Sequence, residues 1–316
     1  MSLRKDFDKV DKIIDRVIGL GERGLKANYK AALKEINSLM MTAYSKYAKE
    51  GVLTFAEMQK FKRYQKLMNT ITKQLNAMMA KSNRVIKGYT KAGFSQSYFR
   101  YGWAMERNLT VKLGYNLAPI RAIKASVNEL IGGATLEQRL EIQKREVNIQ
   151  IRQEITRGLT SGDSLPNMVK RINNKMSVSL DNMKTIVRTE TARNANAGIL
   201  ESYKEAEDAG VELVKVWVAS LDTRTRPSHG VLDGEKANED GLFDTAWGMV
   251  EGPYKDAPVE EAVHCRCRTI AEIEDMKPML RRQEGEVTEN ITFNEWREQK
   301  GLKQNQYGQL YKREAA

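Results

Sequence analysis

For roughly its first 180 residues this chain spaces its apolar side chains as an α-helix does, and then it stops. Val10, Ile13, Ile14 and Val17 follow the i, i+3, i+4, i+7 rule, and Leu33, Ile36, Met40, Ala43 and Tyr47 repeat it. Thr54-Phe55-Ala56-Glu57 has the form of a capping box, which predicts one long amphipathic helix through Met58, Phe61, Leu67, Ile71, Leu75 and Met78. Gly88, Gly93, Gly102 and Gly114 are expected to break the pattern around an aromatic group, Tyr89 to Trp103, that reads as core. Thr135-Leu136-Glu137-Gln138 is a second box, heading a helix to about Arg157. After a turn at 158–163, Asp163 or Ser164 can cap the next helical stretch, with Pro166 in its first turn. A helix from about Asp181 to Ala209 should end at Gly210.

Beyond Gly210 the texture changes. Val211 to Val218 is β-branched and roughly alternating, as in a strand, and Arg266 to Ile270 reads as a short closing strand. Between them lie loops rich in Gly, Asp and Pro. Residues 277–316 are polar, with Leu280, Ile291, Phe293 and Trp296 as their main core material, and read as a tail with one short helix, mobile or docked on a partner. The fold class is therefore α+β, a long helical N-terminal region followed by a small mixed domain with short strands and long loops. The expected division is 1–150, 151–275 and a tail over 276–316.

Charge is divided as sharply as texture. Residues 1–200 carry 36 Lys+Arg against 17 Asp+Glu, and residues 201–316 carry 16 against 24. A basic half joined to an acidic half predicts two different partners. No run of about 18 apolar residues occurs, so no membrane span is expected, and the first residues lack the apolar core of a secretory signal. Two cysteines do not make a disulfide framework, and thiols in a reducing cytoplasm fit better.

Both histidines and both cysteines of the chain, His229, His264, Cys265 and Cys267, fall within 39 residues. His229, Cys265 and Cys267 are three candidate zinc ligands, with His264, Asp233 or Asp222 as the fourth. Cys-x-Cys is tighter than the usual knuckle spacing, and the same cysteines can equally be buried thiols. A Cys–His nucleophile pair with His229 as base is the catalytic alternative. Walker, dinucleotide-binding, nucleophile-elbow and HExxH motifs do not occur. Upstream, Arg188, Glu190 and Arg193 share a helix with Asn194, either as functional groups or as an internal ion pair, and Ala192, Ala195, Ala197 and Gly198 permit close backbone packing. Asp222 can make an Asx-turn, Arg224 and Arg226 can point to one side of an extended loop as an anion clamp, and Asp233-Gly234 closes a turn.

Taken in order, Ile186-Val187-Arg188-Thr189-Glu190-Thr191, a strand ending near Trp217, Asp222-x-Arg224-Thr225-Arg226-x-x-His229-x-x-Leu232-Asp233-Gly234, then Phe243, Pro253 and Cys265-Arg266-Cys267, the chain resembles the phage Mu F-like domain of minor head, or head morphogenesis, proteins. The resemblance covers about residues 150–273; His264 departs from it, standing where members often carry Asn. It implies a non-enzymatic minor capsid protein that associates with the portal, and with scaffold or major capsid protein, during procapsid assembly in the host cytoplasm and stays inside the virion. Some related domains are fused to toxin or ADP-ribosyltransferase modules, for which this chain offers no room. A phage nuclease or hydrolase using metal or the Cys/His set is the alternative. Non-specific contact with packaged double-stranded DNA would fall to the basic region, with Lys60, Lys62, Arg63, Lys66, Lys73, Lys81, Arg84 and Lys87 as candidates.

Overall fold

The computed structural model describes residues 3–109, 112–115, 117–220, 222–273 and 293–312. The helices are α1 (Leu3–Tyr47), α2 (Phe55–Gln59), α3 (Arg63–Leu109), α4 (Ile120–Asn128), α5 (Leu136–Ser161) and α6 (Leu165–Asp208). Then come β1 (Leu213–Val218), α7 (Pro227–Gly230), β2 (Phe243–Thr245), β3 (Gly248–Val250), α8 (Val259–Ala262) and β4 (Arg268–Ile273). The sequence ends on α9 (Phe293–Gln299), β5 (Lys303–Gln304) and β6 (Leu310–Tyr311). The α+β expectation holds, and none of the described helices is long and apolar enough to cross a membrane.

Two compact units form, and neither is one continuous stretch. One comprises Leu20–Ile86 and Glu137–Ile186; the other comprises Met1–Gly19, Lys87–Leu136 and Val187–Ala316. The expected cuts at 150 and 275 do not coincide with these limits, because α1, α3 and α6 each supply residues to both units.

The first unit is helical. Its buried residues recur at helical spacing, as Leu25, Tyr29, Ala32, Ile36 and Met40 do on α1 and Met68, Ile71, Leu75 and Met78 do on α3. Tyr29 Oη meets Ser179 Oγ at 2.8 Å, and Tyr64 Oη meets Thr156 Oγ1 at 2.6 Å. The predicted long helix from Phe55 is interrupted: a 3-10 turn over Lys60–Lys62 takes Phe61 and Lys62 to φ 53° and 58°. Phe61 is consequently 79% exposed rather than core. The cap itself forms, Thr54 Oγ1 accepting from the Glu57 amide at 3.3 Å, while the Glu57 carboxylate goes to Lys60, Lys49 and Arg63. Thr54→Ala should lower stability by about 1 kcal/mol, measured by urea unfolding; a loss below about 0.3 kcal/mol would mean α2 is held by Met58 burial alone.

The second unit holds the mixed part. β1 and β4 pair antiparallel, with Val216 opposite Ile270 and Trp217 opposite Thr269. Strand alternation sends Val216 and Ile270 into a core with α1, α3 and α6, and Trp217 into a second cluster with Leu232, Phe243, Val250, Tyr254 and both cysteines. The aromatic group is core as expected: Phe94, Tyr98, Phe99, Tyr101 and Trp103 are buried. The glycines among them do not break α3. Gly88 faces the Tyr307 ring, Gly93 faces Thr191 and Gly102 faces the Tyr115 ring, each closer than a side chain would allow, so these are sites of close approach. The stretch from Leu165 is likewise one helix, closed by Gly210 at φ 84° with the Val211 amide returning to Ala206 O at 3.0 Å.

Of the expected tail, Leu280 and Ile291 lie outside the described residues. Residues 293–312 hold the predicted short helix, and they dock on their own chain. Phe293 and Trp296 are buried against Trp103 and Phe99, Arg100 sits 3.8 Å over the Phe293 ring, and Glu106 accepts from Trp296 Nε1 at 2.5 Å and pairs with Lys300 at 3.3 Å. Spacing alone hides this, because the docking rests on a few scattered anchors, Phe293, Trp296, Leu302 and Leu310 in the core and the Tyr307 ring against Gly88 and Tyr89.

Candidate metal centre

The Cys-Arg-Cys segment runs into β4, with Cys267 just before its first residue rather than inside the strand. In extended backbone, side chains two apart project to one side. Cys265 and Cys267 therefore face the same partner, and that partner is His229 on the short helix α7. His229 Nδ1 lies 3.2 Å from Cys267 Sγ and 3.5 Å from Cys265 Sγ, and the three potential ligand atoms all lie within 4.8 Å of one another. All three residues are at most 5% exposed. On its other side the imidazole is held by Glu261 of α8, Nε2 to Oε2 at 2.8 Å, and Glu261 also accepts from Ser228 Oγ at 3.1 Å.

The backbone of the segment is fixed from α6 and from the loop before α8. Asn196 Nδ2 donates to Cys267 O at 3.2 Å, and Tyr254 Oη donates to Cys265 O. His264 adopts φ 60°, and its amide faces Thr189 Oγ1 at 3.4 Å. That conformation turns the His264 side chain out to an exposed position, so His264 is not one of the converged ligand atoms. Neither expected carboxylate takes its place: Asp233 Oδ1 accepts from the Ala219 amide at 2.8 Å, and Asp222 is engaged by Arg266 at 2.5 and 2.6 Å.

The electrostatics follow from the contacts. Cys265 and then His229 hold the Cys267 thiol below its ordinary range, against burial. Its neighbour Cys267, and then burial, push Cys265 well up. His229 is raised, chiefly by Cys267 and further by Glu261, while burial opposes. The set favours one thiolate beside an imidazole, and such a donor set suits a soft or borderline divalent metal.

A cavity of about 540 Å³ adjoins the cysteines, lined also by Asp11, Asp15, Arg188, Arg224, Arg226 and Arg268. Both arginines of the predicted clamp line this cavity and also have partners of their own. Arg224 turns back on Asp222 at 3.3 Å, and Arg226 donates to Val263 O at 2.7 Å. The Asx-turn forms as expected, the Arg224 amide reaching Asp222 Oδ1 at 2.9 Å, and Gly234 at φ 85° donates to Trp217 O. Glu190 and Arg193 make an internal ion pair at 2.9 Å; Arg193 further reaches Glu129 at 2.8 Å and Ser126 O at 2.6 Å. Glu261 and Asn196 were missed in the sequence, one among many acids and the other among many polar helix residues.

The basic candidates Arg63 to Lys87 lie along α3, and Lys60 and Lys62 lie in the 3-10 turn before it. Lys62, Lys66, Lys73, Lys81 and Arg84 are exposed and form no ion pair among the described residues. Lys60 pairs with Glu57, and Arg63 stacks 4.1 Å over Tyr47, so these two serve local structure; Lys87 is half-buried.

Residues 149–270, which hold the Arg193/Glu190 pair and the His/Cys/Cys set, match the family described as Phage Mu protein F like protein. No solved structure matches the chain. Among curated proteins the chain is 29% identical over 299 residues to the minor head protein GP7 of Bacillus phage SPP1, covering 93% of this chain and 97% of that one. It is also 27% identical over 270 residues to the NAD(+)–arginine ADP-ribosyltransferase EFV of Enterococcus faecalis, covering 85% of this chain but 55% of that protein. The chain is thus similar to the phage Mu F-like family over residues 149–270 and to a minor head protein over nearly its whole length.

Proposed function

We propose that this protein acts without turnover in phage head morphogenesis, associating with the portal during assembly and remaining in the virion against packaged DNA. The observation that carries the reading is the end-to-end likeness to a minor head protein, with 93% and 97% of the two chains matched. The transferase likeness supports no enzymatic reading by itself, since this chain spans little more than half of that protein.

Charge supports the DNA contact. The segments of the helical unit carry 22 Lys+Arg against 10 Asp+Glu, whereas those of the mixed unit carry 30 against 31. The whole net charge thus belongs to the helical unit. On α3, Lys66, Lys73 and Arg84 fall within about 20° of one azimuth at 100° per residue, and they span about 27 Å of helix, with Lys81 beside them. Four cations each neutralising one phosphate predict that log K falls with log salt at a slope of about −3.6, or about 10²-fold between 50 and 200 mM. Replacing all four by Gln should flatten the slope by about 3.6 units, measured by fluorescence anisotropy on duplex DNA of random sequence. A slope unchanged by the replacement would overturn the assignment of DNA to this face. Co-purification with the portal protein tests the other half of the reading, and a portal that elutes alone at micromolar concentrations would count against it.

A second reading is favoured by one geometry. Cys267, His229 and Glu261 stand in the order of nucleophile, base and orienting carboxylate. Against it, Cys267 is 3% exposed and a second thiol occupies the same imidazole nitrogen.

A further inference from the structure

We propose that His229, Cys265 and Cys267 bind one zinc ion through three protein ligands, with water in the fourth position. The proposal stands on the geometry of the cluster and is independent of the role in the phage head. A tetrahedral zinc with bonds of about 2.3 Å to sulfur and about 2.0 Å to nitrogen sets the N···S edge at roughly 3.6 Å. The two separations here are 3.2 and 3.5 Å, so an ion enters with adjustments of a few tenths of an ångström. Cys-x-Cys is short for a knuckle in a turn, but it suits extended backbone, where residues two apart face the same way.

The surroundings are those of a built site. A metal-ligating imidazole almost always gives its other nitrogen to a carboxylate or carbonyl, which fixes the tautomer with a bare lone pair toward the metal. Here Nε2 faces Glu261 at 2.8 Å and Nδ1 faces both sulfurs. Glu261 is itself oriented by Ser228. The Cys267 amide approaches Cys265 Sγ at 3.4 Å, and the carbonyls of both cysteines are tied by Tyr254 and Asn196. Two thiols and an imidazole select zinc over magnesium or calcium, which take oxygen ligands. Among the described residues no fourth His, Cys, Asp or Glu joins the set, and both cysteines line the 540 Å³ cavity, from which water reaches the ion.

Two other fates of the same residues make different predictions. A disulfide between cysteines two apart is strained, and would remove both sulfurs from the imidazole. A thiol nucleophile would need no metal and would react with alkylating agents at once.

The experiment uses the full chain purified under reducing conditions without chelator. Elemental analysis should find about one zinc per chain. Replacement by cobalt should give the intense thiolate-to-metal charge-transfer bands and the strong visible bands of a tetrahedral site. Alkylation of Cys265 and Cys267 should be slow in the metal-loaded protein and fast after chelation. His229→Asn and the double variant Cys265→Ser, Cys267→Ser should bring zinc to background, and Asp233→Asn, which spares the cluster, should keep it. A folded wild-type protein that holds no zinc after reconstitution overturns the proposal whatever the variants do. So does an intact mass showing both thiols lost to a disulfide, or alkylation equally fast with and without chelator.

Discussion

Replacing Arg193 by alanine is expected to destabilise the mixed unit by about 3–5 kcal/mol. Arg193 is 2% exposed and Glu190 is fully buried. Taking two charges out of water is costly, and only their mutual attraction and the remaining hydrogen bonds offset it. The guanidinium meets three acceptors at once: Glu190 at 2.9 Å, Glu129 at 2.8 Å and the Ser126 carbonyl at 2.6 Å. Its removal strips the Glu190 carboxylate of its buried countercharge and leaves the Ser126 Oγ to Asn194 Oδ1 bond of 2.9 Å to tie the end of α4 to α6. Arg193→Lys should recover little, because an ammonium cannot present a planar fork to three acceptors. Glu190→Gln should be milder, since Glu129 still balances the charge of Arg193. Urea unfolding followed by tryptophan emission orders the three. An Arg193→Ala loss below about 1 kcal/mol, or a lysine variant as stable as wild type, would show that the pair contributes little to the fold.

This ion pair also shows what is legible in a sequence and what is not. The i, i+3 spacing of Glu190 and Arg193 says that they can meet, and they do. It says nothing of Ser126 or Glu129, more than 60 residues earlier, which turn a common helical pair into a buried junction. The same division runs through the rest of the molecule. Helical periodicity locates α1 because it buries one stripe, while cap signals locate the start of α5 and both ends of α6. It fails at Phe61, where two left-handed residues expose an aromatic side chain that the pattern assigns to the core. At the cluster, residue rarity singles out His229, Cys265 and Cys267, whereas Glu261 is one carboxylate among 41 acidic residues and only geometry distinguishes it. The same rarity singles out His264, but its backbone turns it away from the cluster.

Glycines mislead in the same way, and Gly198 gives the second large effect. A substitution Gly198→Ala should cost about 2 kcal/mol or more, although helix propensity alone would favour alanine by about 1 kcal/mol. A Cβ at Gly198 would stand 2.3 Å from Phe94 O and 3.0 Å from Phe94 C, and these are backbone atoms of α3 that no rotamer change can move. Gly93 makes the reciprocal approach, its Cβ position 2.6 Å from Thr191 O on α6. The two helices are therefore in contact backbone to backbone at two points, and an added methyl group forces them apart. Gly24→Ala is the control: the same propensity gain applies, and the nearest atom is a side-chain methyl, Val85 Cγ1 at 3.1 Å, which has to shift by only a few tenths of an ångström where Gly198 meets backbone. It should be neutral or slightly stabilising. The consequence of Gly198→Ala reaches past stability, because Asn196, two residues away on α6, holds the Cys267 carbonyl. Displacing α6 should loosen the Cys-Arg-Cys segment, so Cys265 and Cys267 of the variant should be alkylated faster than in wild type, and the variant should unfold at lower urea. Gly198→Ala as stable as Gly24→Ala would mean that the α3–α6 contact has slack and that the Cys-Arg-Cys segment is positioned by β4 alone.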